Sequence, residues 1–212
     1  DLLPGDVETS GGHIVRCPVA GDESNQKSGW FVFYNDDLPA GAFGNWRSGD
    51  MGNWCAKAEV AMSPAEALAY RHKMDKAREA REAERAKLAN EARERAQREW
   101  DEANEVTSHP YLKAKGVSAF GLKLRSGKLL VPMQDMDGNM HGLQSIDSTG
   151  EKRFSFGCEK KGRFFLIPGE NKTAICEGYA TAASVHMATG WTVLVAFDAG
   201  NLLPVAEGWR KH

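Results

Sequence analysis

Short runs of apolar residues alternate with turn residues over the first 57 positions of the chain. The densest run, Gly-Trp-Phe-Val-Phe-Tyr at 29–34, precedes Asn-Asp-Asp-Leu-Pro at 35–39. Aromatic and β-branched runs bounded by Asn, Asp, Gly and Pro are typical of strands joined by turns. The region is therefore predicted to be a meander of short strands. The runs occupy residues 13–18, 29–34, 40–46 and 53–57.

Three of the six tryptophans, Trp30, Trp46 and Trp54, lie in this region. Two interpretations of them are open. They build the core of a small sheet, which is the commoner use of tryptophan, or they form a surface on which unpaired bases stack.

A long charged helix is predicted to follow. Ser63-Pro64-Ala65-Glu66 is a helix start, with Ser at the N-cap, Pro at the first position and Glu at the third. No Gly and no further Pro occurs before Glu105, and large apolar residues are sparse. The spacing argues against a strong coiled coil. A solvated helix over 63–106, about 60 Å long at about 1.5 Å per residue, is expected. It serves as a spacer between two lobes, or it binds a partner or tracks nucleic acid.

Residues 107–172 are predicted to form a compact antiparallel module. A short helix at 108–116 ends at Gly116, and a hairpin follows with strands at 128–134 and 140–147. Two further short strands are expected at 153–156 and 163–167.

The pattern changes character after residue 172. Buried-type strands at 173–176 and 191–197 alternate with helices at 180–189 and 202–211. Continuous apolar strands that alternate with helices are typical of a parallel α/β arrangement.

Charge changes the interpretation of the middle of the chain. The whole chain has a net charge of −2, which by itself argues against nucleic acid. Residues 107–172, however, hold 11 Lys and Arg against 6 Asp and Glu, and phenylalanines are interleaved with them. These cations either contact phosphates or form an ordinary solvated surface. The candidates for nucleic-acid or nucleotide binding are Arg125, Lys128, Lys152, Arg153, Lys160, Lys161 and Arg163.

Cysteine spacing and the chain ends bear on compartment and completeness. The four cysteines lie too far apart in sequence for a zinc ribbon, and there is no secretory leader and no apolar run of membrane-spanning length. A cytoplasmic protein with reduced thiols and no membrane contact is expected.

The chain starts at Asp1 and stops inside a predicted helix, so we expect a fragment.

Glu177 is the candidate for chemistry. It follows a buried strand and precedes Gly178 and a helix. Ligand sites of open α/β sheets lie at this edge, and a carboxylate there serves Mg²⁺ coordination or general acid/base chemistry on a phosphoryl group. The alternative is a negative charge that stabilises the helix N-terminus. Spacing alone does not favour either.

These residues resemble a known family. Residues 175–182 followed by 193–201 resemble the first half of a Toprim domain, found in primases, topoisomerases and some nucleases. Upstream, 129–135, 137–138, 143–146 and 150–154 are similar to the basic subdomain that precedes Toprim in bacterial-type primases. The amino-terminal pieces at 13–16, 29–30 and 41–49 resemble a module fused to primases of conjugative plasmids and prophages.

The resemblance implies an α+β fold in four parts. These are a β-rich N-terminal module at 1–62, the long helix at 63–106, the basic subdomain at 107–172 and a partial α/β Toprim domain at 173–212. It also implies part of a DNA primase, a nucleotidyltransferase in which Glu177 is catalytic and binds Mg²⁺ or Mn²⁺. Single-stranded DNA template, nucleoside triphosphates and a helicase are the implied partners.

Two departures from the family pattern matter. The paired aspartates of Toprim are absent, because Asp198 is followed by Ala199 and the third strand is missing, so this piece is expected to be inactive by itself. The zinc-binding element that often begins such primases is also absent. Three alternatives stay open: a non-catalytic nucleic-acid-binding module, a scaffold built on the long helix, and a Toprim nuclease or topoisomerase. For a topoisomerase nucleophile, Tyr179 is a poor candidate.

Overall fold

A computed structural model describes residues 11–23, 26–58 and 61–212 of the chain. The chain divides into two compact units, an N-terminal unit of Asp1–Lys87 and a C-terminal unit of Leu88–His212. Sheets and helices are both present, and most strand pairs are antiparallel, so the predicted α+β class is confirmed. The four-part division of the sequence stays a prediction.

The described part of the N-terminal unit contains an antiparallel sheet of four strands in the order β1-β2-β3-β4. The predicted meander is thereby confirmed, although β4 begins two residues before the predicted run. The turn between β2 and β3 falls on the Asn-Asp-Asp-Leu-Pro run at 35–39 that bounded the densest apolar run. The strands are β1 Val15–Cys17, β2 Gly29–Tyr34, β3 Ala40–Asn45 and β4 Met51–Cys55.

The three tryptophans of this sheet have different surroundings. Trp30 is 3% exposed and lies in a small core with Val32, and Trp46 packs against that core with its ring centroid 5.4 Å from that of Trp30. Trp54 is 49% exposed. The prediction that tryptophans build the core is confirmed for Trp30 and Trp46 and wrong for Trp54.

Helix α1 spans Pro64–Asp101 and begins with the predicted capping box. The Ser63 hydroxyl accepts a hydrogen bond from the Glu66 backbone N–H at 3.3 Å, and the Glu66 carboxylate accepts one from the Ser63 N–H at 2.7 Å. The helix ends five residues before the predicted end because Asn104–Glu105 form a strand, β5, instead. The part of α1 from Leu88 onward belongs to the C-terminal unit.

The C-terminal unit contains an antiparallel sheet in the order β5-β6-β7-β8-β9. The predicted hairpin is confirmed in β7 and β8. Helix α2, Pro110–Lys115, precedes the sheet's second strand; His109 caps it and Gly116 ends it with φ 65°. The strands that follow β5 are β6 Lys123–Arg125, β7 Lys128–Gln134, β8 Met140–Ile146 and β9 Lys152–Phe154.

A second sheet of the C-terminal unit has the order β10-β12-β11. Strands β11 and β12 are parallel, and α3 connects them, as the alternating pattern predicted. Strand β10 pairs antiparallel with β12, so the short strand predicted at 163–167 belongs to this sheet and not to the basic module. The elements are β10 Phe165–Ile167, β11 Glu170–Cys176, α3 Tyr179–Thr189, β12 Trp191–Val195 and α4 Leu202–Lys211.

One apolar core joins the two sheets of this unit. Leu129 and Ile146 of the five-stranded sheet lie in the same cluster as Ile167 and Val195 of the three-stranded one. Strand β10 changes sheets because its Phe165 and Ile167 are buried in this core. The residues that follow β11 and β12 lie near β9, since Gly178 is next to Lys152 and the Phe197 ring meets that of Phe154.

Tyr179 belongs to the same core and is 0% exposed. Its hydroxyl accepts a hydrogen bond from the Phe120 N–H at 2.7 Å and donates one to the Ser118 carbonyl at 2.9 Å. Burial raises the pKa of this phenol far above its ordinary value. A buried, fully bonded and protonated phenol is not a nucleophile, which removes this residue from the topoisomerase alternative.

Charge and length separate these helices from membrane spans. Helix α1 has the length, but charged side chains recur throughout it. Over 11–23, 26–58 and 61–212, no helix combines the length and the apolar character needed to cross a membrane.

Candidate functional site

Glu177 lies directly after the last residue of β11 and before the first turn of α3. The strand end is fixed, because the Ala196 N–H after β12 donates to the Cys176 carbonyl at 2.8 Å. The predicted position of the carboxylate at the carboxyl edge of a parallel pair is thus confirmed. The side chain is exposed, so it does not bear the burial cost that the sequence suggested. No described residue provides it with an ion pair or hydrogen bond.

Lys152 of β9 lies beside Gly178, the residue that follows Glu177. Its Nζ is 3.3 Å from the position that a Cβ of Gly178 would occupy. Lys152 pairs in register with Ile146, a core residue, so its side chain leaves the sheet on the face toward β11 and β12. Within the described residues its ammonium has no carboxylate partner. A free cation therefore lies next to the Glu177-Gly178 turn.

Asp198, after β12, is already engaged. Its carboxylate accepts a hydrogen bond from the Asn201 N–H at 3.0 Å and forms an ion pair with Lys160. The Lys160 ammonium also lies 5.1 Å from the centre of the Phe154 ring. The second acidic group of the edge is thus neutralised, and Glu177 is left as the open carboxylate beside it.

Two aromatic rings complete this edge. Phe154 of β9 is 38% exposed, and its ring meets that of Phe197 edge-on, with centroids 6.0 Å apart. Phe197, just before Asp198, has φ 72° although it is neither Gly nor Asn. Left-handed backbone at a bulky residue is strained and concentrates at functional sites. We call Lys152, Phe154, Lys160, Glu177 and Asp198 the carboxyl-edge site.

Asn201 holds the basic loop against this site. It is 3% exposed, and its amide donates to the Arg163 and Ala196 carbonyls at 2.8 Å each and accepts from the Gly162 N–H at 2.7 Å. Nothing in the sequence distinguished this asparagine, because its role depends on the packing of two distant segments.

Arg153 and Lys128 lie on the opposite face of the five-stranded sheet from Lys152. Arg153 pairs in register with Ser145, and successive strand residues face opposite sides. The two cations border a cavity of about 150 Å³ together with Ser145, Asp147 and Glu151. Lys152 and Arg153, which are both candidates from the sequence, thus lie on two different surfaces.

Most of the seven predicted cations have acidic partners. Arg125 pairs with Glu102, Arg153 with Glu151 at 2.9 Å, and Arg163 with Glu159 at 3.9 Å. Lys160 pairs with Asp198 as above. Among described residues, Lys128, Lys152 and Lys161 have no ion-pair partner. The basic excess of the sequence is therefore not one continuous free track.

Of the phenylalanines interleaved with these cations, only one is exposed among the described residues. Phe164 and Phe165 are 3% and 4% exposed and belong to cores, and Phe120 and Phe156 are half-buried. Phe154 remains, so the aromatic signal of the sequence is confined to the carboxyl-edge site.

The carboxyl-edge site fits Mg²⁺ only as part of a larger ligand set. Within the described ranges, no group of three His, Cys, Asp or Glu side chains is arranged to hold a metal. Mg²⁺ is commonly held by one or two carboxylates together with substrate phosphates and water. Glu177 can supply one such carboxylate. The four cysteines are all free thiols.

A buried polar cluster that the sequence did not indicate lies on the β7–β8 hairpin. The His141 ring bonds the Asp135 carboxylate at 2.7 Å, and the Arg93 guanidinium of α1 lies 3.2 Å from its Nδ1. Burial acts to raise the pKa of Asp135, but hydrogen bonds from His141 and Asn139 outweigh it and lower that pKa to about 2. The cluster ties the second half of α1 to the sheet.

With this geometry established, comparison with known proteins places the chain among relatives. It is 36% identical over 202 residues to an Escherichia coli protein named DNA primase TraC. The matched region is 91% of this chain and 19% of that relative. A second Escherichia coli protein of the same name is 32% identical over 222 residues, covering 96% of this chain and 15% of the relative. The chain thus spans less than a fifth of the length of either. No protein-family model matches the chain, and no solved structure matches it at a significant level.

Proposed function

We propose that this chain is the template- and nucleotide-handling part of a DNA primase of the plasmid or prophage type. The observation that carries the proposal is the open Glu177 carboxylate at the end of a parallel strand, beside the free Lys152 ammonium. Similarity over nine-tenths of the chain to two proteins named DNA primase TraC supports it. Its partners would be single-stranded DNA, nucleoside triphosphates and a helicase, in the cytoplasm.

Each charged residue of the carboxyl-edge site has a role in this proposal. Lys152 neutralises a phosphate of the template or of the incoming nucleotide. Glu177 acts as acid or base on the reacting oxygen, or contributes an oxygen ligand to Mg²⁺ or Mn²⁺. When bound, that ion would stabilise the charge that develops on the transferred phosphoryl group. The Lys160–Asp198 pair and Asn201 keep the basic loop in place around the site.

A second candidate function is a non-catalytic module that binds single-stranded DNA. Two observations favour it. Glu177 is the one carboxylate of the site without a cationic partner, and the described residues hold no three-ligand metal cluster. For the same reason we propose that this chain by itself does not synthesise primers.

Synthesis is tested in a full-length protein that carries this sequence. Glu177→Gln should abolish metal-dependent primer synthesis on a single-stranded template and leave DNA binding within about twofold, because the amide keeps the size and removes the charge. The matched control is Glu207→Gln, an exposed glutamate of α4, which should synthesise normally. Synthesis by the Glu177 variant at the unaltered rate would show that this carboxylate is not catalytic and would favour the binding module.

Binding is tested on the chain itself by fluorescence anisotropy across a salt series. Lys152→Ala should weaken single-strand binding and reduce the slope of log affinity against log salt by about 0.7, the value for one lost phosphate contact on a single strand. Arg153→Ala, next in sequence but on the other face and paired with Glu151, should change the slope less. An unchanged slope for Lys152→Ala would remove that residue from the phosphate contacts.

A further inference from the structure

The four-stranded sheet of the N-terminal unit has two different faces. On one face, Trp30, Val32 and Ala42 pack in a core with Ala77 of α1. Because side chains alternate along each strand, the neighbours of these residues lie on the other face. That second face carries four aromatic side chains: Phe31 and Phe33 of β2, Phe43 of β3 and Trp54 of β4.

The aromatic face is open at two of these positions. Phe43 and Trp54 are each 49% exposed, whereas Phe31 is 6% exposed. Trp54 packs against Phe33, with ring centroids 5.9 Å apart and the planes inclined by 39°. Two large rings at half exposure on neighbouring strands are unusual, because apolar side chains of this size dominate buried surface.

The glycine opposite Phe43 allows that ring to lie flat. A Cβ at Gly52, the cross-strand partner of Phe43, would be 2.8 Å from Cζ and 3.2 and 3.3 Å from the two Cε atoms of that ring. The small spread of these distances places the missing side chain under the flat of the ring, because an edge-on approach would leave the Cε atoms much farther away than Cζ. Gly41 is in register with both Phe33 and Trp54 and likewise adds no side chain between them. The Phe43 ring thus rests on backbone and turns its other side to solvent.

Residues 1–62, which include this sheet, carry a net negative charge that does not attract DNA phosphates, so a strand bound here would be held through the faces of its bases. Residues 1–62 hold 4 Lys and Arg against 9 Asp and Glu. Arg47, Lys57 and Lys73 are paired with Asp22, Glu66 and Asp36. Base–aromatic stacking needs no cation and tolerates any base.

We propose that Phe43 and Trp54 form a stacking platform for unpaired bases of single-stranded DNA. The inference rests on the proposed function, which supplies that ligand, but it uses a different unit and a different interaction. Diagonal neighbours on adjacent strands lie about 7–8 Å apart, roughly twice the 3.4 Å spacing of stacked nucleotides along one strand. The two rings therefore suit bases of an extended, unstacked strand.

The test measures binding of a fluorescein-labelled oligo(dT) to the whole chain by anisotropy at several salt concentrations. Phe43→Ala and Trp54→Ala should each weaken binding roughly 5- to 150-fold, the range for loss of one stacked base. The slope against salt should stay unchanged in both variants, because no phosphate contact is lost. This separates the platform from Lys152, whose removal should lower the slope.

Two kinds of control keep the test decisive. Met51→Ala removes a side chain that is 62% exposed and lies on β4 but on the opposite face, so it should bind like the unaltered chain. Phe43→Tyr and Trp54→Phe keep flat rings and should retain most of the affinity, whereas Phe43→Leu and Trp54→Leu keep apolar bulk and should not. Circular dichroism of each variant shows that the sheet is intact.

Every outcome bears on the proposal. Affinities of the two alanine variants equal to that of Met51→Ala would overturn it while leaving the carboxyl-edge site untouched. Full affinity in the leucine variants would show general apolar contact and also overturn it. If the substitutions instead abolish self-association in sedimentation, the face binds a second copy of the chain and the proposal is overturned. No binding by the unaltered chain even at low salt would overturn both this inference and the proposed DNA contacts.

Discussion

Adjacent residues of this protein act in different places. Lys152 and Arg153 are neighbours in sequence, yet strand alternation puts the first beside the Glu177-Gly178 turn and the second on the opposite face with Glu151. A count of basic residues cannot make this distinction. Such a count predicts that a segment is cationic, but it leaves open which of the cations already have a carboxylate partner.

At the residue scale, the polar cluster on the β7–β8 hairpin gives a pH prediction. The hydrogen bonds to Asp135 hold its pKa at about 2, below the ordinary value of 3.8. A carboxyl group whose pKa is lower in the folded state adds stability above the unfolded pKa and loses it as pH falls through the folded one. Asp135→Asn should therefore lower the free energy of unfolding by about 1–2 kcal/mol at pH 7.

The difference between Asp135→Asn and the unaltered chain should shrink between about pH 4 and pH 2, as the carboxyl group takes up its proton. Urea unfolding at a series of pH values measures it. Asp137→Asn in the same loop is the control, since that side chain is exposed. A difference that stays constant down to pH 2 would mean that the ionised carboxylate is not what stabilises the hairpin.

At the element scale, local sequence signals set where elements begin and long-range pairing decides some of the ends. Ser63 and Glu66 start α1 as the sequence predicts, because a capping box is satisfied within four residues. The end of α1 depends instead on β5, which pairs with β6 some 20 residues later in the chain. The same holds for β10, whose partner β12 is remote in sequence.

Removal of the cap should destabilise the first turn of α1. Ser63→Ala is expected to cost about 1 kcal/mol, because the Glu66 N–H loses its acceptor. Hydrogen exchange in that turn should accelerate about fivefold, as read by mass spectrometry. Ser63→Asp retains an acceptor oxygen and should exchange at close to the original rate. Equal exchange in all three proteins would show that contacts elsewhere in the helix, and not the cap, hold this turn.

At the scale of the whole molecule, the two units differ in how much apolar surface they bury. Among the residues that the structure describes, the main core of the C-terminal unit has 16 buried members, whereas that of the N-terminal unit has four. Core size sets the free energy of local opening, so the two units are expected to open separately.

Paired core substitutions test this independence. Ile146→Ala should lower the stability of the C-terminal unit by about 2–5 kcal/mol and leave hydrogen exchange of β1–β4 unchanged, because it removes buried methyl groups from one core. Val32→Ala, in the other core, should do the reverse. Faster exchange in both units after either substitution would mean that they unfold as one cooperative body.

What the sequence by itself determined follows from local periodicity. Strands β2 and β7 and helices α3 and α4 lie where the patterns placed them, because alternation, caps and glycine stops act within a few residues. The position of Glu177 at a strand end was determined in the same way. Tertiary structure alone decided that this carboxylate is exposed, that Asp198 is neutralised by Lys160, and that Trp54 and Phe43 face solvent. Those properties depend on which distant segments meet, and no local pattern encodes that.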